Sequence, residues 1–183
     1  MYHNIKTTLY HGTISEIQAV DVRLGRGKKD FGRGFYMATS MKQAEGMMNK
    51  KYREAMKRKN PKERSNFSKR LYEVTLDKSI LPTLKIKIFQ KADMEWLDFI
   101  LMCRENGDVP HDYDLVIGPT ADDDTALCLK FYWDGVYGKV GELEAKKILL
   151  NNLETENLGI QYYIGKQSVA NKLIADIKAV DWR

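Results

Sequence analysis

The stretch Asp30-Phe31-Gly32-Arg33-Gly34-Phe35-Tyr36-Met37-Ala38 decides how this chain reads. It sets an acid before a basic residue held between two glycines, and then runs through an aromatic pair into short apolar sequence. Gly32 and Gly34 free the backbone to turn tightly and to approach another group without a Cβ in the way. Arg33 brings a fixed positive charge of the kind that recognises phosphate, and Tyr36 brings a flat ring that can stack. Two readings are open from these residues alone: an ordinary glycine-punctuated turn into a strand, or the lip of a pocket for a phosphorylated, ring-bearing ligand. A second segment upstream, Tyr10-His11-Gly12-Thr13, bears on the choice. The His11 imidazole can hydrogen-bond a sugar hydroxyl, and Gly12 permits close approach to a carboxamide. Taken singly, His11 also fits a satisfied strand-edge histidine and Tyr36 fits core packing.

His-Gly-Thr followed by Phe-Gly-Arg-Gly-Phe-Tyr-Met-Ala resembles the NAD-binding core of the ADP-ribosyltransferase superfamily, in the His-Tyr-Glu branch that includes poly(ADP-ribose) polymerases and diphtheria-type toxins. The chain is most similar to a bacterial family of small single-domain proteins in that superfamily. Four further blocks carry the likeness: Glu95-Trp96-Leu97-Asp98-Phe99, Tyr113 through Pro119, Ala121-Asp122-Asp123, and a late strand opening with Gln161. It runs from about Leu9 to about Lys172.

The resemblance implies a split β-sheet core and an enzyme that uses NAD as substrate. It implies that His11 binds the nicotinamide-side ribose, Gly12 grips the carboxamide and Tyr36 stacks on the ring. Gln161 then stands at the third catalytic position. Tyr10, Thr13, Arg33, Gly34, Phe35 and Met47 become cofactor-binding positions. Two departures follow. Where the polymerases and toxins carry a Glu, Gln161 can accept a hydrogen bond but carries no charge for a cationic sugar, which argues against polymer elongation. Where relatives place a second aromatic on the following helix, Met47 offers a thioether, worth about 0.3–1.5 kcal/mol against an aromatic ring; packing of Met47 into the core is the competing reading.

Asp122, Asp123 and Asp124 follow a Gly-Pro-Thr turn. A helix first turn, where acids are favoured, accounts well for Asp124 and poorly for Asp122, which also fits a metal ligand or an acceptor-side base. Cys103 and Cys128 read as structural thiols in apolar helical sequence, and His3 and His111 as structural or exposed. Trp96 reads as core, and Asp98 as able to face the cleft.

The chain has 183 residues, 43% hydrophobic and 30% charged, with a net charge of +5. That is enough for one domain with a proper core. Apolar runs fall short of the roughly 18 residues of a membrane helix, and the first residues lack the layout of a signal peptide, so the expected location is cytoplasmic, with no membrane partner. Basic residues crowd Lys50–Arg70, an excursion within the domain that reads either as a solvated helix end and loop or as a contact for nucleic acid.

Periodicity predicts strands at Thr7–His11, Phe35–Thr39, Arg70–Thr75, Lys85–Phe89, Asp114–Gly118 and Gln161–Ile164. It predicts helices from a Ser40/Gln43 capping box to Arg58, from Asp93 to Arg104, and over Thr125–Trp133 and Glu142–Leu150. Strands scattered among helices without βαβ alternation give an α+β fold. Two functions remain. One is a mono-ADP-ribosyltransferase acting on a protein or nucleic-acid acceptor, toxin-like or regulatory, with a small neutralising protein as a candidate partner. The other is an inactive NAD, ADP-ribose or partner-binding module on the same fold. An acid reaching the sugar, such as Asp122 or Glu156, would favour the enzyme.

Overall fold

The computed structural model describes residues 5–25, 27–58, 60, 64, 66–108, 110–121, 123–153 and 158–182, the side chains of 58, 123 and 124 excepted. Asp122, Glu156 and His3, and with them the expectations attached to each, lie outside the described residues. The elements are β1 (Thr8–Thr13), β2 (Phe35–Ala38), α1 (Met41–Arg58), β3 (Arg70–Leu76), β4 (Ile86–Ile88), α2 (Met94–Asn106), β5 (Leu115–Pro119), α3 (Asp123–Trp133), α4 (Leu143–Asn152), β6 (Ile160–Ile164), α5 (Gln167–Leu173) and β7 (Ile174–Val180). Short 3-10 turns cover Val22–Leu24 and Lys78–Thr83.

Among the described residues, seven strands form one sheet in the order β4-β5-β6-β2-β1-β3-β7. Every pairing is antiparallel except β4 with β5. The fold is therefore mixed, with a largely antiparallel sheet and helices on both faces, in keeping with α+β. One face carries the core of Leu9, Phe35, Met37, Val74, Leu115, Tyr162 and Ile164. The other carries an aromatic core around Phe31, Phe89, Trp96, Tyr132 and Tyr163, closed by α2, α3 and α4. The split follows from strand alternation, which sends successive side chains to opposite faces. Trp96 is fully buried, as expected, and its indole N–H donates to the Pro119 carbonyl at 3.1 Å. Asp98 turns instead to Lys146 on α4 at 2.7 Å.

Local chemistry explains the helix starts. The Asp93 carboxylate accepts from the Trp96 N–H, and the Ser40 hydroxyl accepts from the Gln43 N–H, each satisfying a donor that the first helical turn leaves free. The Ser40 box is one-sided: the Gln43 amide donates to the Thr120 hydroxyl at 2.9 Å, tying α1 to the end of β5. Cys103 is fully buried and Cys128 half-buried, and burial pushes the Cys103 thiol up to about 12.

Candidate functional site

The sheet is not evenly closed. β1 and β3 are matched over six residue pairs and β2 and β6 over four, but β1 and β2 meet only at Tyr10 and Ala38. Continued in register, the ladder would set Gly12 opposite Tyr36. Side chains take the two carbonyls there instead. His11 Nδ1–H donates to the Tyr36 carbonyl at 2.6 Å, and the Lys51 ammonium donates to the Gly12 carbonyl at 2.8 Å. The sheet thus opens between β1 and β2 without stranding buried backbone acceptors.

These contacts fix the chemistry of His11. A carbonyl only accepts, so Nδ1 must carry the proton, and Nε2 is left as an acceptor for an incoming hydroxyl. Burial, reinforced by the Lys51 charge and opposed by the bond to Tyr36, lowers the imidazole pKa to about 3. His11 is neutral at neutral pH. Its ring stacks on Phe35, centroids 4.5 Å apart.

Tyr36, Ala38 and Gln161 project from one face, because Ala38 is paired with Gln161 and Tyr36 with Tyr163. The Tyr36 ring rests against Tyr163 with centroids 5.1 Å apart. Its hydroxyl donates to the Gly32 carbonyl at 2.6 Å and accepts from the Phe31 N–H at 3.0 Å. The glycine loop and the tyrosine are thus one unit. Burial and the nearby Asp30 carboxylate hold the phenol well above its ordinary pKa, so it stays protonated at neutral pH.

Gln161 is buried, its amide nitrogen donating to Asp30 Oδ2 at 2.8 Å and to the Pro119 carbonyl at 3.4 Å. Asp30 is buried as well. Its Oδ1 accepts from Arg104 Nη2 at 2.6 Å and Nε at 3.2 Å, and its Oδ2 also accepts from the Ala121 N–H at 2.9 Å. Asp30 and Lys51 are the two residues that sequence reasoning passed over. Asp30 opens the glycine motif, and Lys51 stands four residues after Met47, one helical turn on the same side of α1.

The remaining predicted positions divide. Phe35 is buried under His11. Gly34 is dictated by packing, since a Cβ there would lie 2.4 Å from the Ile164 carbonyl oxygen and from the Tyr163 ring. Gly12 is dictated the same way, with a Cβ only 1.9 Å from the Ala44 carbonyl oxygen of α1. Tyr10 packs with Ala38, Ala44 and Leu71, and the Thr13 hydroxyl accepts from the Ser15 N–H at 3.4 Å. Met47 is 40% exposed, which removes the core-packing reading. Arg33 is ion-paired to Asp108 at 2.7 Å and borders a cavity of about 310 Å³ with Val22, Arg23, Asp108 and Gly165. It lies beyond the Phe35 end of the β2–β6 ladder, whereas Gln161 lies at the Ala38 end.

His111 is half-buried and hydrogen-bonds the Phe31 carbonyl at 2.9 Å. In the basic segment, Lys69 lies over the Tyr52 and Trp182 rings, and Lys51 is drawn into the site. Among the described residues, no group of three or more His, Cys, Asp or Glu could hold a metal ion, and no helix is long and apolar enough to cross a membrane.

The family model described as a protein of unknown function (DUF3990) matches residues 7–174. A search of curated proteins finds no match.

Proposed function

We propose that this chain, a member of the DUF3990 family, is an NAD-dependent mono-ADP-ribosyltransferase with an ADP-ribosyltransferase-type split-sheet core. The observation that carries this reading is the opening between β1 and β2, where the His11 imidazole hydrogen-bonds the Tyr36 backbone carbonyl at 2.6 Å, next to the strand that bears Gln161. Its acceptor is a protein or a nucleic acid. Its setting is cytoplasmic and toxin-like, with a small neutralising protein as a further partner.

The residues divide the work. His11 Nε2 accepts a hydroxyl of the nicotinamide-side ribose, and the Gly12 backbone at the open edge of β1 meets the carboxamide. Tyr36 supplies one ring face and the exposed Met47 thioether the other. Gln161 Oε1 accepts a second ribose hydroxyl. In the transfer, the bond between the ribose anomeric carbon and the pyridine nitrogen breaks, and its electron pair leaves with neutral nicotinamide. The acceptor nucleophile bonds to that carbon and sheds its proton to solvent. Oriented acceptors around the sugar favour the positive charge that develops there, less strongly with an amide than with a carboxylate.

Lys51 on the Gly12 carbonyl and the uncharged Gln161 favour a second reading, binding of NAD or ADP-ribose without turnover. Incubation with NAD, followed by mass spectrometry for free nicotinamide and for ADP-ribose on the protein or added acceptors, separates the two. Nicotinamide release is the expected result. Binding without release favours the second reading, and no binding overturns both.

A further inference from the structure

We propose that Asp30 is a positioning residue for Gln161, and that the site is built around glutamine and excludes glutamate. The proposal rests on the transferase reading only for what Gln161 then binds, a ribose hydroxyl. The Asp30 carboxylate and the Pro119 carbonyl both face the end of the Gln161 side chain, at 2.8 and 3.4 Å. Both are acceptors, so the group they face must be the NH2. Its two hydrogens are committed, and Oε1 is left as the acceptor turned away from them. The amide orientation is therefore set by Asp30, not by free rotation.

Asp30 is itself fixed. Arg104 holds Oδ1 through two guanidinium nitrogens, and the Ala121 N–H and Gln161 share Oδ2. The side chains of Asp30 and Arg104 are 8% and 17% exposed, so the pair is largely removed from solvent. A glutamate in place of Gln161 would set one carboxylate against another, and against the Pro119 carbonyl, with no hydrogen to share. Like charges at that spacing do not both ionise. Gln161 is thus matched to Asp30.

A double-mutant cycle tests this. At pH 7.5, Gln161→Glu is expected to lower the folding equilibrium constant by about tenfold or more, as an uncompensated buried charge does. The deficit shrinks towards pH 5, because one of the two carboxyls has its pKa raised in the fold and regains stability on taking a proton. Asp30→Asn also destabilises, since it removes the partner of Arg104. The double variant Gln161→Glu/Asp30→Asn is no less stable than Asp30→Asn alone, because the introduced carboxylate then faces an amide beside Arg104. Additive effects, or a Gln161→Glu chain as stable as the native one at both pH values, would overturn the proposal.

On the reaction, Asp30→Ala, which removes the acceptor that an asparagine would keep, is expected to lower kcat for nicotinamide release about tenfold through misplacement of Gln161, with KM for NAD within about twofold. If the variants do not fold, hydrogen exchange in the native chain decides. The Gln161 side-chain amide exchanges at least about a hundredfold slower than free glutamine if it is held as described, and exchange at the free rate contradicts it. Coupling without nicotinamide release sinks the transferase reading alone; release with additive variants sinks this proposal alone.

Discussion

Lys51 on α1 and Gly12 on β1 are joined by a 2.8 Å hydrogen bond from ammonium to carbonyl, which sets a positive charge beside His11 at the mouth of the opened sheet. That charge is the second cause, after burial, of the lowered His11 pKa. Lys51→Met is expected to raise the His11 pKa while leaving it below the ordinary 6.5, since burial persists. Titration of the imidazole by NMR reads this directly, and an unmoved value contradicts the placement of Lys51.

The same histidine makes stability depend on pH. Its folded pKa, about 3, lies below the unfolded 6.5, so the unfolded chain binds the proton first. The contribution is fully present above about pH 6.5 and is lost progressively as pH falls towards 3. Within that window one group contributes up to about 1.4 kcal/mol per pH unit. Urea unfolding of the native chain and of His11→Asn at pH 7, 6, 5 and 4 should show the native advantage shrinking by that slope. Parallel curves contradict it.

Gly12→Ala tests why glycine stands on β1. The added Cβ would lie 1.9 Å from the Ala44 carbonyl oxygen and 2.9 Å from the Met48 Cβ, so α1 has to lift off the strand. Overpacking of this kind costs about 1–3 kcal/mol or more. A denaturation midpoint equal to that of the native chain would mean that α1 sits farther away.

Met47→Tyr would place a second ring beside the proposed nicotinamide site. Met47 is 40% exposed, so the larger side chain disturbs little packing. A paired ring is worth about 0.5–1.5 kcal/mol, which is about two- to tenfold tighter binding of NAD in calorimetry, with an almost unchanged melting temperature. Weaker binding would remove Met47 from the site.

Much of this architecture is legible in the chain, and the exceptions have physical reasons. Strands with one apolar face announce themselves by alternation, and the predicted positions of β1 to β6 fall on observed strands. β7 escaped because Ile174, Ile177 and Val180 recur every third residue, as on a helix, in a strand that pairs on one side only with β3. Lys51 escaped because a lysine among lysines reads as a solvated face, and only the closeness of α1 to Gly12 recruits it. Asp30 sat in plain view at the head of the motif, but its partners Arg104, Ala121 and Gln161 come from distant parts of the chain, which spacing cannot bring together. Gly12 was read as room for a ligand, and its crowding by Ala44 is a tertiary contact.

The central claim is that the opening between β1 and β2 handles NAD. The most direct test is single-turnover release of nicotinamide from NAD by the native chain, alongside His11→Ala and Tyr36→Ala chains shown to be folded. The account predicts release by the native protein and its loss, by at least about a hundredfold, in both variants. Equal release from all three, or none from a native protein that also fails to bind NAD, would contradict it.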